Sequence, residues 1–374
     1  LSDLRDAWRT RPAPLLSLAP DVPPALSALV TSLLSHNPTA RPQAAAEVID
    51  KLSAIAQLSP DPDLGVVRAY LTTPELVGRE EEVLRVRKAL VRAMRGRGSA
   101  LLVRARAGLG STRLLDACVM EGKLAGALVA RVEAREAGLE EFASVRAAIE
   151  QWADACAPAH ARELRAALAR PAAANDGQDA RGLHTQIATA ILKLARERTL
   201  LLTVDDAQRI DEASVAVFAL LARASTNHKL LLCASLPEHV NPRDSLSLRM
   251  LADATQHVEL APWTPAQTES LLQSLFGAVA GVPLLAERIQ TAARGNPRDT
   301  MLLAQHLVDI GIVRHHAGAW SLPTQLTEVA LPHDMEQAQR HVVRTLDAES
   351  RKLATAFALE PDINSLTRAD CSQL

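Results

Sequence analysis

Aromatic residues are scarce in this chain of 374 residues, because phenylalanine, tyrosine and tryptophan together make up only 2% of it. Ala, Leu and Val must therefore fill most of the core, and a composition rich in Ala, Leu, Glu and Arg favours helices. No apolar run approaches the roughly 20 residues that a membrane-spanning helix needs. The first residues also lack the pattern of a signal peptide. These absences predict a chain with no membrane segment.

The chain also has few cysteines and a small net charge. The four cysteines, Cys118, Cys156, Cys233 and Cys371, have spacings that match no zinc site. Cys118 and Cys233 lie in apolar segments, which is typical of small core residues. Unpaired cysteines of this kind predict a reducing compartment, the cytoplasm. The formal net charge is −2 at pH 7, so nothing indicates direct nucleic-acid binding.

Residues 100–115 contain an apolar run, a glycine-containing loop and the start of a helical pattern. The loop holds Gly108 and Gly110, and the helical spacing begins at Ser111 and Thr112. Small residues let backbone N–H groups surround a phosphate, and the positive end of the following helix adds to the attraction. The stretch therefore predicts a phosphate-binding loop.

This loop differs at two positions from the common pattern G-x-x-x-x-G-K-[ST]. Gly110 and Thr112 match, but Ala105 stands at the first glycine and Ser111 at the lysine. In that pattern the lysine reaches the outer phosphates and the hydroxyl group reaches magnesium. A charged hydrogen bond contributes about 1.5–3 kcal/mol, so we expect nucleotide affinity to fall roughly ten- to a hundredfold. Hydrolysis should fall further, because the lysine also neutralises the transferring phosphoryl group.

Two nearby cations, Arg104 and Arg106, are open to two interpretations. Either one replaces the missing lysine in part, or both are surface charges of the loop.

A second apolar run, from Leu200 to Val204, ends in Asp205 and Asp206. The first carboxylate suits the magnesium shell, and the second suits the orientation of an attacking water. A strand that simply ends in an Asp-Asp turn is the alternative. The order of strands, loops and helices predicts a parallel sheet flanked by helices.

The remaining patterns predict local structure. A helix is predicted over residues 183–196, after a loop over residues 171–182 that is rich in Ala, Asn, Asp and Gly. Thr264 and Gln267 predict a capping box at the start of another helix. Residues 311–322 predict a small hairpin.

Three motifs together resemble those of the STAND-type AAA-related ATPases, which occur behind bacterial kinases and in MalT-like regulators. They are VGRE at residues 77–80, ARAGLGSTRLL at residues 105–115, and the strand that ends in two aspartates. The resemblance covers roughly residues 76–360 and implies a P-loop NTPase fold. It divides the chain into an NTPase core at residues 76–262, a helical lid at 263–310, and a hairpin with the start of a winged helix at 311–374.

The resemblance also implies roles for individual residues. The adenosine would lie beside Gly78 and Arg79, and near Gly295 and Pro297 of a GNP element. This element is equally explained as a turn between two helices. The phosphates would bind to Gly108, Gly110, Ser111 and Thr112. Magnesium would be held by Thr112 and Asp205, and Asp206 would be the catalytic acid that orients water.

Residues 1–56 resemble the last helices of the C-terminal lobe of eukaryotic-like serine/threonine kinases. Residues 21–52 carry this resemblance, and Arg41 matches an arginine that forms a buried ion pair in that family. An unrelated pair of helices is the alternative. The kinase catalytic residues would lie upstream of Leu1, so no kinase chemistry resides in these residues. Residues 57–75 contain several prolines and predict a linker.

Together these patterns predict a regulatory module of a bacterial serine/threonine kinase that binds ATP weakly and hydrolyses it slowly or not at all. Its expected partners are its own N-terminal kinase domain, downstream signalling domains and other proteins. Two alternatives remain open, a MalT-like transcription regulator and a scaffold that has lost nucleotide binding. Whether the chain is an enzyme also remains open.

Overall fold

The computed structural model describes residues 15–20, 22–35, 76–133, 140–168, 177–277, 281–316, 319–322 and 346–359, together with residues 48, 51, 52, 54–56, 279 and 343. The chain forms two compact units. The first unit consists of Glu75–Leu271, Ala286–Leu303 and Pro332–Leu374. The second consists of Leu1–Pro74, Leu272–Leu285 and Ala304–Leu331. Residues 263–310, the predicted lid, are therefore divided between the two units.

A five-stranded sheet forms the centre of the first unit, with the strand order β2-β3-β4-β1-β5. All of its strand pairs are parallel. The strands are β1 Ser99–Ala105, β2 Leu128–Glu133, β3 Leu200–Asp205, β4 Leu230–Pro237 and β5 Gln256–Glu259. The predicted parallel sheet is confirmed. Its central strands are continuous apolar runs because helices cover both of their faces.

Helices connect and cover these strands. In chain order the described helices are α1 Leu15–Leu18, α2 Pro24–Leu33, α3 Glu80–Met94, α4 Ser111–Leu124, α5 Ala143–Ala155, α6 Pro158–Leu168, α7 Gly177–Glu197, α8 Glu212–Ala224, α9 Leu246–Asp253, α10 Pro265–Phe276, α11 Val282–Ala293, α12 Pro297–Asp309 and α13 Ala348–Leu359. A short antiparallel pair, β6 Arg314–His316 and β7 Ala319–Ser321, forms the predicted hairpin. No helix in the described part of the chain meets the length and hydropathy of a membrane span.

The two faces of the sheet have separate cores because successive strand residues point to opposite sides. In β1, Leu101 and Val103 pack with residues of α3 and α4. Leu102 points the other way and packs with residues of α5, α7, α8 and α9. Trp152 of α5 is fully buried in that second core, where its indole N–H donates to the carbonyl oxygen of Leu128 at 3.1 Å. The one buried polar atom of this large side chain is thus satisfied.

Helix α4 lies close against the sheet because Gly122 has no side chain. A Cβ atom at this position would lie 2.5 Å from Cδ2 of Leu201. One turn earlier, Cys118 contacts Cys233 of β4, and both thiols are buried. The hydrogen bond from Cys118 and burial raise the pKa of Cys233 well above its ordinary value. The prediction that both cysteines are small core residues is confirmed.

One local prediction is wrong and another is confirmed. The predicted loop over residues 171–182 ends too late, because α7 begins at Gly177. Gly182 suggested a loop, but a glycine inside a helix costs only about 1 kcal/mol relative to alanine, which a long helix tolerates. The capping box is present: the backbone N–H of Thr264 donates to Oε1 of Gln267 at 2.8 Å, and the backbone N–H of Gln267 donates to Oγ1 of Thr264 at 3.3 Å.

The kinase-like segment is described only in part. Helix α2 buries Ser27 and Leu29, in agreement with the apolar face that the sequence predicts there. Arg41 and the predicted linker at residues 57–75 lie outside the described residues. The resemblance of residues 1–56 to a kinase lobe therefore stays a prediction.

Candidate nucleotide site

The predicted phosphate loop connects the end of β1 to the start of α4. Gly108 and Gly110 have φ angles of 86° and 91°, a left-handed conformation that residues with a Cβ atom rarely adopt. Ala105 is the last residue of β1, where it pairs with Pro237. The position at which the common pattern has its first glycine is thus extended strand in this chain, and alanine fits it.

Backbone donors are available at the end of this loop. The N–H of Leu109 is used within the loop, since it donates to the carbonyl oxygen of Arg106 at 3.2 Å. Among the described residues, no acceptor receives the N–H groups of Gly110, Ser111 or Thr112, which begin α4. Unsatisfied donors at a helix start carry a positive partial charge and attract anions. The loop therefore has the geometry and the charge to bind a phosphate group.

Residues of the GNP element hold the loop from outside. The side-chain amide of Asn296 donates to the carbonyl oxygen of Ala107 at 3.0 Å, and the backbone N–H of Arg298 donates to that of Gly108 at 3.2 Å. A Cβ atom on Gly108 would lie 2.5 Å from Oδ1 of Asn296. Glycine is needed at residue 108 both for its φ angle and for this close approach.

The GNP element also begins helix α12. Oδ1 of Asn296 accepts the backbone N–H groups of Arg298 and Asp299 at 3.0 and 3.4 Å, and Pro297 occupies the first helical position. Gly295 lies against Trp263, whose backbone N–H donates to the carbonyl oxygen of Gly295 at 2.7 Å. Local structure thus explains why Pro297 and Gly295 occupy these positions. Their role near the adenine stays a prediction.

Arg298 is a candidate site residue that the sequence patterns did not single out. A Cβ atom on Gly108 would lie 3.1 Å from Cβ of Arg298, and the Arg298 side chain is exposed. This places a cation beside the loop in which Ser111 occupies the usual lysine position. The signal was present in the sequence, because an arginine directly follows the GNP element.

Arg104 and Arg106 bind the segment that follows β4. Nη2 of Arg104 donates to the carbonyl oxygens of Glu238 and Val240 at 2.8 and 3.2 Å. Nε of Arg106 forms an ion pair with Oε2 of Glu238 at 3.0 Å. These contacts favour the interpretation of both arginines as surface charges of the loop over that of a lysine replacement.

Arg79 is buried and connects the loop to two other segments. Its Nη2 donates to the carbonyl oxygen of Leu109 at 3.0 Å and to that of Ala261 at 2.9 Å. Nη1 lies 3.7 Å from Oε1 of Glu82. Burial lowers the pKa of Arg79, and the negative charges of Glu82 and Glu80 oppose this. Next to it, Gly78 has a φ angle of 69° and would contact the side chain of Gln267 if it carried a Cβ atom.

Asp205 and Asp206 are bridged by a residue that the sequence reasoning missed. The hydroxyl of Ser235, in β4, donates to Oδ1 of Asp205 at 2.5 Å and accepts the backbone N–H of Asp206 at 2.8 Å. Asp206 has a left-handed φ angle of 53°, and its Oδ1 accepts from Nε2 of Gln208 at 3.2 Å. Ser235 pairs in register with Val103 of β1. Both acids therefore end their strand at the same sheet edge as the phosphate loop.

Asp211, which ends the run DDAQRID, has a structural role. Its carboxylate accepts the backbone N–H of Ser214 at 2.8 Å and caps α8. The same carboxylate accepts the N–H groups of Phe142 and Ser144 at 2.8 and 3.1 Å, so it also holds the start of α5. Three backbone hydrogen bonds account for an aspartate at this position.

Residues 75–233 match the family model described as AAA ATPase domain. This part of the chain is therefore similar to AAA ATPase domains. The match includes the phosphate loop, β3 with its two aspartates, and β4 up to Cys233. A comparison of the chain with curated proteins finds no match.

Solved structures are similar to the chain at low sequence identity. They include the Aeropyrum pernix ORC1 protein in complex with DNA, with 17% identity, 79% of this chain and 76% of that chain covered, and a TM-score of 0.42. The structure of Drosophila ORC bound to DNA has 14% identity, covers 88% of this chain and 85% of that chain, and has a TM-score of 0.45. A Thermotoga maritima RuvB variant has 17% identity, 77% and 79% coverage, and a TM-score of 0.37.

Proposed function

We propose that the AAA ATPase domain is a regulatory switch that binds ATP or ADP with magnesium and hydrolyses ATP slowly or not at all. The observation that carries this proposal is the phosphate loop. Gly108 and Gly110 hold it in left-handed turns, and the N–H groups of Gly110, Ser111 and Thr112 begin a helix without an acceptor among the described residues. The backbone of the loop suits an anion, while its lysine position holds serine.

The other site residues would share the remaining tasks. The exposed hydroxyl of Thr112 and the carboxylate of Asp205 would hold magnesium, which neutralises phosphate charge when it is bound. Asp206 would orient water, and its hydrogen bond with Gln208 supports a defined side-chain position. Gly78 and Arg79 would lie beside the adenosine, as the STAND-type resemblance implies.

Arg298 would supply the positive charge that Ser111 lacks. Its backbone is bonded to Gly108 and its side chain is exposed beside the loop. A phosphate in the loop would attract this guanidinium group and favour the arrangement in which residues 296–298 contact the loop. Nucleotide binding would then be coupled to the start of α12, which is the property a switch needs.

Calorimetric titration of the full chain with Mg-ATP, Mg-ADP and Mg-GTP tests this proposal. We expect weak binding of the adenine nucleotides, about tenfold weaker binding by Arg298→Gln, and roughly ten- to a hundredfold tighter binding by Ser111→Lys. Arg249→Gln, an exposed arginine on α9, is the matched control and should bind as the wild type does. If neither the wild type nor Ser111→Lys produces heat of binding at millimolar nucleotide, the switch is refuted. The alternative, a scaffold that has lost nucleotide binding, would then stand.

We further propose that this switch regulates a serine/threonine kinase domain encoded upstream of residue 1. The support is the resemblance of residues 21–52 to the end of a kinase lobe. The coding sequence upstream tests it, because a kinase requires an HRD-type catalytic loop and a DFG-type metal site there. Absence of both would favour the transcription regulator of MalT type.

A further inference from the structure

Helix α3 presents a regular row of exposed side chains on the face that points away from the sheet. Its inner face is buried and consists of Val86, Ala89, Leu90 and Ala93. The outer residues recur at intervals of three and four. They are Glu81, Leu84, Lys88 and Val91 within the helix and Arg95 directly after it, all of which are exposed. We call these five residues the α3 stripe.

Large aliphatic side chains are exposed along this part of the surface. Leu84 and Val91 of the α3 stripe have 47% and 48% of their surface exposed. The neighbouring helix α4 exposes 58% of Met120 and 75% of Leu124. Leu84 and Val91 lie seven residues apart on one face of α3, and such a row of exposed apolar residues is a candidate interaction site.

The charges of α3 are separated along its length. Its first turn carries Glu80, Glu81 and Glu82. No acid follows within the helix, while four cations do, namely Arg85, Arg87, Lys88 and Arg92, and Arg95 comes directly after the helix. Arg87 is paired with Glu121 of α4. Within the described ranges, Glu81, Lys88 and Arg95 form no ion pair, so the two ends of the α3 stripe carry opposite, unpaired charges.

We propose that the α3 stripe is the contact between two copies of this chain, packed as an antiparallel pair of helices about a twofold axis. An axis through the middle of α3 places Glu81 opposite Arg95 of the second copy and Leu84 opposite Val91 of the second copy. The midpoint of each pair lies close to residue 88, so a single antiparallel arrangement brings both pairs together. The twofold axis produces a second, equivalent copy of each pair. Intervals of three and four residues are the spacing at which helices pack along a seam.

The charge pattern favours a second copy over an anionic lipid surface or a nucleic acid. A uniformly negative partner would attract the basic part of α3 but repel the acidic first turn. A second, antiparallel α3 matches both parts. The Lys88 side chains of the two copies meet at the axis, where their like charges repel each other. This repulsion weakens the contact, so the dimer should form only at higher protein concentration.

Sedimentation velocity of the full chain at low salt, over a range of protein concentrations, tests this contact. We expect a dimer whose population rises with concentration. Glu81→Arg replaces two attractive pairs by two repulsive ones and should raise the dissociation constant at least about tenfold. Glu81→Arg combined with Arg95→Glu exchanges the charges and should restore the wild-type value. Glu287→Arg, an exposed position on α11, controls for the change in net charge.

Lys88→Leu provides the opposite test, because it removes the repulsion at the axis and completes the apolar row. It should tighten the dimer about tenfold or more, whereas Arg85→Leu, the same kind of change outside the α3 stripe, should not. The proposal is overturned by a chain that stays monomeric as wild type and as Lys88→Leu, or by a dimer that Glu81→Arg leaves intact. Flotation of the monomer with phosphatidylserine vesicles would likewise assign the surface to lipid.

Discussion

Arg79 is a buried cation whose guanidinium group is satisfied mainly by main-chain carbonyl groups. It donates to Leu109 in the phosphate loop and to Ala261 after β5. A buried charge is tolerated only when it is paired and hydrogen-bonded, because its desolvation is otherwise too costly. Through these bonds a single side chain fixes the loop relative to the sheet.

Replacing Arg79 with methionine should lower the free energy of unfolding by about 2–4 kcal/mol. Methionine is a long apolar side chain, but it leaves the buried carbonyl oxygen of Leu109 and the partly buried one of Ala261 without their donor. Urea unfolding followed by circular dichroism measures the change. Arg85→Met, at an exposed position of α3, the helix that Arg79 precedes, should stay within about 0.5 kcal/mol of the wild type. Equal unfolding midpoints for both variants would refute the structural role.

His184 of α7 packs against Phe142 with a ring-centroid distance of 5.1 Å. Its Nε2 atom is buried and has no hydrogen-bond partner within the described residues. Burial lowers the pKa of His184, and the nearby Glu141 opposes this by a smaller amount. The imidazole is therefore held in its neutral form against the core.

This lowered pKa predicts a loss of stability in mild acid. The unfolded state binds the proton more readily than the folded state, so the stability that neutral His184 contributes is present above the unfolded pKa of about 6.5 and decreases as the pH falls below it. His184→Phe keeps the ring contact and removes the titration. Urea unfolding at pH 8 and pH 5.5 should show a smaller loss for this variant than for the wild type; parallel losses would contradict the assignment.

Among the helices, α4 matters most for the site because it carries the loop's backbone donors and packs on the sheet at Gly122. That glycine contacts Leu201 so closely that a methyl group cannot fit without movement. The helix start is positioned over the strand ends by this contact.

Gly122→Ala should destabilise the first compact unit, which contains Gly122, by about 1–3 kcal/mol, since overpacking forces side chains or backbone to shift. Gly182→Ala is the matched control, because Gly182 lies in α7 with open space around its α-carbon. That change should be neutral or stabilise by about 0.5–1 kcal/mol. In the background of Leu201→Ala the cost of Gly122→Ala should shrink, which a double-mutant cycle measures. An undiminished cost would place the clash elsewhere.

For the whole molecule, nucleotide binding should appear as increased stability. A ligand at ten times its dissociation constant adds about 1.4 kcal/mol to the free energy of unfolding. Saturating Mg-ADP should therefore raise the melting temperature of the full chain by about 2–4 °C. Calorimetric melting with Mg-ADP and with magnesium alone measures the difference. An identical melting temperature at millimolar nucleotide would argue against the switch.

Local patterns were sufficient for much of the fold and for the backbone of the site. Gly108 and Gly110, the strand before them and the helix after them are neighbours in sequence, so spacing alone predicts their conformation. The apolar run before Asp205 is a buried strand for the same reason. By contrast, the pattern predicts that α7 begins at residue 183, whereas the helix begins at Gly177. The Ala-, Asn-, Asp- and Gly-rich composition before residue 183 is typical of a loop, but the long helix tolerates it.

The sequence by itself determined a parallel sheet, a glycine-containing loop between a strand and a helix, and a pair of acids at a strand end. Each of these features depends on residues that follow one another in the chain. Only the tertiary structure decided which distant side chains complete the site. Asn296 reaches Ala107 across 189 positions of the chain, and Ser235 joins the two acids from the neighbouring strand. Such contacts depend on how strands and helices pack in space, and no local spacing in a single chain specifies that.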